Sequence, residues 1–380
     1  MRTAAPLALV LAAGLLTAVP ASAAYDDAPR TWRVGPGRAL TTPSAAAAVA
    51  GDGDTVLIDA GTYSGDVATW TQDDLTIRGV GGRAHLRADG RDAQGKAIWV
   101  VVGDRTRIDR IELSGASVPD GNGAGIRAEG TDLTVTRSWF HDNENGILAG
   151  ADPDSDVVVR RSRFFRNGAG DGYTHNLYVG AVRSLTVTGS WLWGADVGHE
   201  LKSRAARTTI VGNRIDDADG TASYSIDLPD GGLALVAGNV VIQGPRSENS
   251  TLVSYGAEGL TQPSHTLRVV HNTFVNRRSS GTYVALVAGS RAILLDNLLV
   301  GPGGLTSGAS ATARASRRVG TGGFVDPGAD DFRLLASSPA VDRGVLVPRR
   351  WRPLWEYVHP AGLARRVMVG RPDLGAFELR

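Results

Sequence analysis

The stretch HNLYVGAVRSLTVTGSWLWGADVGHELKSR, from His175 to Arg204, contains one short strand pattern twice, His-Asn-Leu-Tyr-Val and His-Glu-Leu-Lys-Ser, 24 residues apart. Between the copies lies Leu185-Thr-Val-Thr-Gly-Ser-Trp-Leu-Trp193, two apolar alternations joined at a Gly-Ser corner. Alternation with a period of two is the mark of a strand with one buried face. A unit that returns to the same pattern after one circuit is the mark of a coil of strands.

Outward from this stretch the pattern repeats. Anchored on the small polar residue after each strand, the units fall at Ser138, Ser162, Ser190, Asn213, Asn239, Asn272 and Asn297, with gaps of 24, 28, 23, 26, 33 and 25 residues. Three residues before each anchor stand Val135, Val159, Val187, Ile210, Val236, Val269 and Leu294, and two after stand Phe140, Phe164, Leu192, Ile215, Val241, Phe274 and Leu299. Both columns are apolar throughout, as stacked inward positions require. The Ser/Asn column suits an internal polar ladder at a sharp corner, each side chain serving its neighbours' backbone. A period in the mid-twenties with short strands predicts an all-β fold, a right-handed parallel β-helix.

A second strand precedes the first in each unit, aligned on Ile126, Ile147, Leu177, Leu201, Ile226 and Val253. With strands about 4.8 Å apart, this register sets Tyr178, Lys202 and Asp227 in one outward row. Asn176 and Glu200 are expected alongside, with His175, His199 and Tyr224 at its edge. After the corner runs another outward column, Trp139, Arg163, Trp191 and Arg214, with His141, Phe165, Trp193 and Asp216 beside it. Aromatics alternating with arginines suit a groove that stacks sugar faces and pairs with carboxylates or sulfates, so Trp139, Arg163, Trp191, Trp193, Arg214 and Tyr224 are the expected substrate-binding residues.

The ends read differently. Arg2, an apolar run from Ala4 to Ala18, Pro20 and Ala21-Ser-Ala23 form a secretory signal pattern, with cleavage expected at Ala23/Ala24. The run is too short for a membrane anchor, and a secreted or periplasmic protein is expected. The cap is expected over 24–74, with a short helix at Pro43–Ala50, rungs over 75–300, and an irregular C-terminal cap over 301–380 that covers the end of the core. There is no cysteine, which excludes disulfides, thiolate metal sites and a cysteine nucleophile. A net charge of +1 gives no argument for a nucleic-acid or membrane partner, and a monomer is expected. Of 40 basic residues only Lys96 and Lys202 are lysine, so a lysine in the candidate row suggests that an ammonium group is wanted there.

Gly53-Asp-Thr-Val-Leu-Ile-Asp-Ala-Gly-Thr-Tyr63 resembles the N-terminal cap of parallel β-helices, and Ser338-Pro-Ala-Val-Asp-Arg-Gly344 with Asp373-Leu-Gly-Ala-Phe-Glu378 resembles their closing segments. The whole pattern resembles the pectate-lyase-like superfamily. Within it, Gly198-His-Glu-Leu-Lys-Ser-Arg204 followed by Gly212-Asn213 is similar to the chondroitinase B and alginate lyase group. That resemblance implies Lys202 as catalytic base and a Ca²⁺ ion held by Asn176, Glu200 and Asp227. The chain departs from the group on the next rung, where Ser225-Ile-Asp-Leu-Pro-Asp230 stands in place of an arginine-bearing string. The acid or carboxylate-binding role then falls to Arg204, Tyr178, His175 or His199.

β-Elimination from a uronate needs a base on the proton beside the carboxylate, positive charge on that carboxylate, and an acid for the leaving oxygen. Lysine can act as such a base where its surroundings lower its pKa, and arginine cannot. The expected activity is therefore cleavage of an acidic polysaccharide by a lyase. Three alternatives stay open at this point: a glycoside hydrolase using Glu200 and Asp227, or Asp227 and Asp230; a polysaccharide-binding module without chemistry; and an epimerase. A surface ion-pair ladder is the competing reading of Lys202, and backbone-bonded corners the competing reading of the two histidines.

Overall fold

The computed structural model describes Met1, residues 28–217 and residues 219–380; the expected leader lies outside the described residues. The chain is a right-handed parallel β-helix. Each circuit contributes one strand to a ten-stranded parallel sheet and two strands to a larger, bent sheet. One complete circuit is Leu177–Val179, Val182–Thr188 and Trp191–Trp193, before the chain returns at Leu201–Ser203. Parallel crossovers of this kind are right-handed because twisted strands pack back on themselves only that way.

The registers follow the apolar columns. Phe140 pairs with Phe164, Phe164 with Leu192, Leu192 with Ile215, and Ile215 with Val241. Ile147 pairs with Leu177 and Leu177 with Leu201. These side chains are all fully buried in one core that runs the length of the coil. The Ser/Asn ladder is also present. Backbone N–H groups of Ser190, Asn213, Asn239 and Asn272 donate to the side-chain oxygens of Asn213, Asn239, Asn272 and Asn297, at 2.9–3.0 Å. The asparagine amides donate in turn to Val187, Ile210, Val236 and Val269 carbonyls. The buried asparagine amides of the ladder are thereby paired along the coil.

The ends differ from expectation. At the N-terminus, Thr31–Val34 already pairs with Thr55–Ser64, which pairs with Thr76–Arg87, so the coil begins before residue 75. The helix is Pro43–Ala47, capped by the Thr42 hydroxyl on Ala45 N–H, and its Ala46 closes the core end. At the C-terminus the coil continues past residue 300 through Gly304–Gly308, Ala311–Arg314 and Arg317–Val319. The remaining segment folds back along the flank as a strap. Phe324, Phe332, Leu374 and Phe377 cover the outward faces of Val240, Ile242, Val275, Leu298 and Val300. Outward apolar residues on those rungs, which a solvated sheet would not carry, are the reason.

The residue before the ladder is left-handed in successive circuits: Arg137, Arg161, Gly189, Gly212, Gly238, His271 and Asp296 have φ between 50° and 65°. Glycine occupies this position only where the strap passes. A Cβ at Gly189 would stand 2.7 Å from Leu363, and one at Gly238 would stand 2.8 Å from Pro353.

Candidate active site

Tyr178, Lys202 and Asp227 are direct neighbours across three strands of the ten-stranded sheet. Lys202 Nζ donates to Glu258 Oε1 at 2.8 Å and stands 3.4 Å from Asp227 Oδ2. Arg204, just past the same strand, donates to Tyr178 OH at 3.1 Å, to Asp230 Oδ1 at 2.6 Å and to Glu258 Oε2. One carboxylate therefore bridges the two cations. Beside them opens a cleft of about 440 Å³ lined by Asn122, Tyr173, His175, Tyr178, Lys202 and Arg204, among others. Asp227 is buried and its Oδ1 has no partner; burial raises its pKa against the pull of Lys202. Burial acts the same way on Glu258, but hydrogen bonds from Lys202 and Arg204 outweigh it and hold that carboxyl below its ordinary value.

His175, His199 and Tyr224 form a stack along the edge of this row, with ring centroids 4.7 and 5.1 Å apart. Each histidine sits at a corner, where Nδ1 accepts a backbone N–H: His175 from His199 at 3.0 Å, and His199 from Tyr224 at 3.2 Å. An imidazole that accepts at Nδ1 carries its proton on Nε2. Burial first, then the charge of Lys202, takes His199 down to about 3, and burial with the neighbouring His199 takes His175 well below the ordinary value. Both are thus neutral Nε2–H donors near pH 7. With Nδ1 already holding a backbone N–H, each ring has only Nε2 to offer the row, and His199 Nε2 lies 3.4 Å from Asp227 Oδ2.

Asn176 and Glu200 are not alongside Lys202. The strands here are only three residues long, and at the corner before each the side chain turns into the core instead of keeping the outward alternation. Asn176 and Glu200 are fully buried. They belong to a second interior ladder. Asn143 donates to Asn167 Oδ1 at 2.9 Å, Asn167 to Asn176 Oδ1 at 2.6 Å, and Asn176 to Glu200 Oε2 at 2.5 Å. Glu200 Oε1 accepts Ala195 N–H at 3.0 Å. Burial, reinforced by Asp217, pushes the Glu200 pKa well up, and burial takes Asp217 to about 7. Two corrections follow. Asn176, Glu200 and Asp227 do not converge on one point, and the neighbours of the Asp227 carboxylate are a lysine and a histidine, so these three residues do not fit a calcium cage, which needs six to eight oxygens. Glu200 is likewise sealed off from any sugar, so the Glu200/Asp227 hydrolase pair fails.

The aromatic column lies on the other sheet. Trp191 stacks on Trp193 at 3.6 Å and Phe165 on Trp193 at 4.5 Å, while Arg163 lies 5.9 Å over Trp139 and Arg214 5.8 Å over Trp191. The strap walls this face: His359 meets Trp191 edge-on at 4.5 Å, and Asp330 takes Arg214 at 2.9 Å. A cleft of about 690 Å³ opens over Trp191, Trp193 and Arg214. It shares no lining residue with the Lys202 cleft. Tyr224 alone of the expected binding residues stands by the Lys202 row. Glu258, which pairs with Lys202 and Arg204, is the residue of this cluster that the repeat pattern does not mark. It sits in the loop after Thr251–Tyr255, 56 residues from Lys202, and belongs to no column.

No protein-family model matches the chain, and no curated protein sequence does. Solved structures do. The crystal structure of pectate lyase Pel9A is 16% identical, superposes with a TM-score of 0.68, and covers 93% of this chain and 98% of its own. The chain shares the parallel β-helix fold of that structure. The structure of Geobacillus virus E2 ORF18 is 13% identical with a TM-score of 0.51, over 73% of this chain and 55% of its own. An alginate lyase from Paenibacillus sp. strain FPU-7 is 17% identical with a TM-score of 0.48, over 77% and 98%. In this β-helix no helix among the described residues is long and apolar enough to cross a membrane.

Proposed function

We propose that the protein is a secreted lyase that cleaves a uronate-containing polysaccharide by β-elimination in the Lys202 cleft. The observation that carries this reading is Glu258. Its carboxylate bridges Lys202 and Arg204, so Glu258 occupies the place of a substrate uronate, with Arg204 on the carboxylate and Lys202 beside it to reach the α-proton. Its side chain is nearly half exposed and rides on a loop with Gly256 and Gly259 in left-handed conformation, so it can leave. The likeness to a pectate lyase fold adds support at the level of fold.

In the proposed reaction Arg204, with the His175 Nε2–H, takes the uronate carboxylate, where negative charge gathers as the α-proton leaves. Lys202 removes that proton. The proton that Lys202 gives up goes to Asp227, whose Oδ2 stands 3.4 Å from Nζ. The C–O bond to the leaving sugar breaks as the ring double bond forms, and the Tyr178 hydroxyl protonates the departing oxygen. Tyr178 and Arg204 are 3.1 Å apart, close enough to work as a unit.

The test is ultraviolet detection of unsaturated uronate ends across alginate, pectate and glycosaminoglycans. Wild type should produce them, and Lys202→Ala should lose about 10²–10⁴ in kcat, the range for removal of a general base, with its unfolding curve unchanged. Glu258→Gln should lower KM about threefold, because a weaker occupant is easier to displace. An unchanged KM for that variant would remove the argument from Glu258, and wild type that gives no unsaturated ends on any uronate polymer would sink the lyase reading.

A further inference from the structure

The outward column of tryptophans and arginines continues upstream. Trp139 pairs with Glu112, and Glu112 with His85. His141, two residues along from Trp139, points from the same face. We propose that His85, Glu112 and His141 form a binding site for one divalent transition-metal ion of the zinc type, separate from the Lys202 cleft and independent of the lyase reading.

The geometry makes the case. One potential ligand atom from each residue lies within 4.8 Å of the other two. His141 Nε2 is 3.2 Å and His85 Nδ1 3.6 Å from the same oxygen, Glu112 Oε1. Ligands on a tetrahedral ion with bonds of about 2.0–2.1 Å stand about 3.4 Å apart, and the two measured separations bracket that value. Each imidazole also holds an outer partner on its far nitrogen: His141 Nδ1 meets Asp142 Oδ2 at 2.6 Å, and His85 Nε2 meets Ser114 Oγ at 2.7 Å. Asp142 holds His141 by Nδ1 and so turns Nε2 toward Glu112 Oε1, where a hydrogen bond of 3.2 Å stands at the place a metal ion would take. A carboxylate behind the histidine is the usual orienting partner of a metal-bound imidazole. All three candidate ligands are only partly buried, so an ion can enter from solvent.

The donor set decides the class. Two imidazoles and one carboxylate select zinc, cobalt, nickel or copper over calcium and magnesium, which take oxygen. Three protein ligands leave a position open, and the His141 ring lies tilted 4.5 Å from Trp139, in the aromatic column.

The test uses the full chain stripped of metal with a chelator. Titration with Co²⁺ should give one ion per chain, with the strong visible bands of a low-coordinate site, which Zn²⁺ bleaches. Zn²⁺ should raise the melting temperature of wild type. Glu112→Gln and the double variant His85→Ala/His141→Ala should bind far more weakly than wild type, while Asp142→Asn should lose about 10–100-fold, as an outer partner does. Glu112→Gln keeps the side-chain shape, and its metal-free melting curve shows that the fold is intact. A wild-type chain that binds no Co²⁺, or a double variant that binds it as tightly as wild type, overturns the proposal.

Discussion

Two polar ladders run inside this coil, and they are built differently. The ladder from Ser138 to Asn297 is neutral and regular, the backbone N–H of each rung donating to the side-chain oxygen of the next. The ladder behind the candidate site starts the same way, with Asn143 and Asn167. It then meets Ala195, which has nothing to offer, and the gap is filled from the opposite side by Asn176 and Glu200. From there it carries carboxyls: Glu200, and Asp217 bonded to Ser247 and Ala222 N–H. A neutral ladder holds its shape at every pH, whereas a ladder with buried acids does not. The irregular one lies directly beneath the strand that carries Lys202.

Breaking the regular ladder should have the largest effect. Asn239→Ala removes an acceptor for Asn213 and donors to Ile210 and Asn272. At about 1–3 kcal/mol for each buried group left unpaired, the loss should exceed about 3 kcal/mol, read as a drop in melting temperature. A fall of less than a degree or two would mean that water replaces the amide.

The second ladder should reveal itself through pH. The folded pKa of Asp217, about 7, lies above its ordinary value, as that of Glu200 does. The native state then binds more protons than the unfolded chain, so this contribution favours folding at low pH and is lost as pH rises through about 7. His175 and His199 act in the opposite sense: their folded values are depressed, so their contribution is complete above the ordinary histidine range and lost as pH falls below it. Asp217→Asn should flatten the decline in melting temperature between pH 5 and pH 8 and raise stability at pH 8 by on the order of 2 kcal/mol. An unchanged slope would show that these carboxyls are not the groups in control.

Asn213→Ser is the smallest expected perturbation, about 1 kcal/mol. Serine already does this work at Ser162 and Ser190, but it gives up the donation to Val187. A loss as large as that for Asn239→Ala would mean that the amide-to-amide chain is cooperative.

The same contrast explains what the sequence made legible. Apolar columns and the Ser/Asn anchor are demanded by the interior at fixed offsets, so they repeat and can be read. The row Tyr178, Lys202, Asp227 follows from that register. Alternation puts Asn176 and Glu200 on the outward face, whereas it holds only within the strand, and their strands end one residue away. Glu258 lies in a loop whose length no repeat governs. His85 and Glu112 went unnoticed because their rungs carry Ala84 and Ile111 where later rungs carry serine or asparagine. Without a polar anchor, nothing in the sequence marks those rungs as belonging to the series.

The strap changes how the molecule would respond to force. A bare solenoid is held by contacts between neighbouring turns alone, and load on its last turn would peel it one turn at a time. Here the chain doubles back: Leu363 lies against Gly189 and Gly212, Pro353 against Gly238, and Ala376 N–H bonds to Thr273 Oγ1 at 3.0 Å. A pull on Arg380 is therefore spread along many turns in shear. The expected mechanical signature is one high rupture event followed by a low sawtooth, with the strap acting as a splint along the coil.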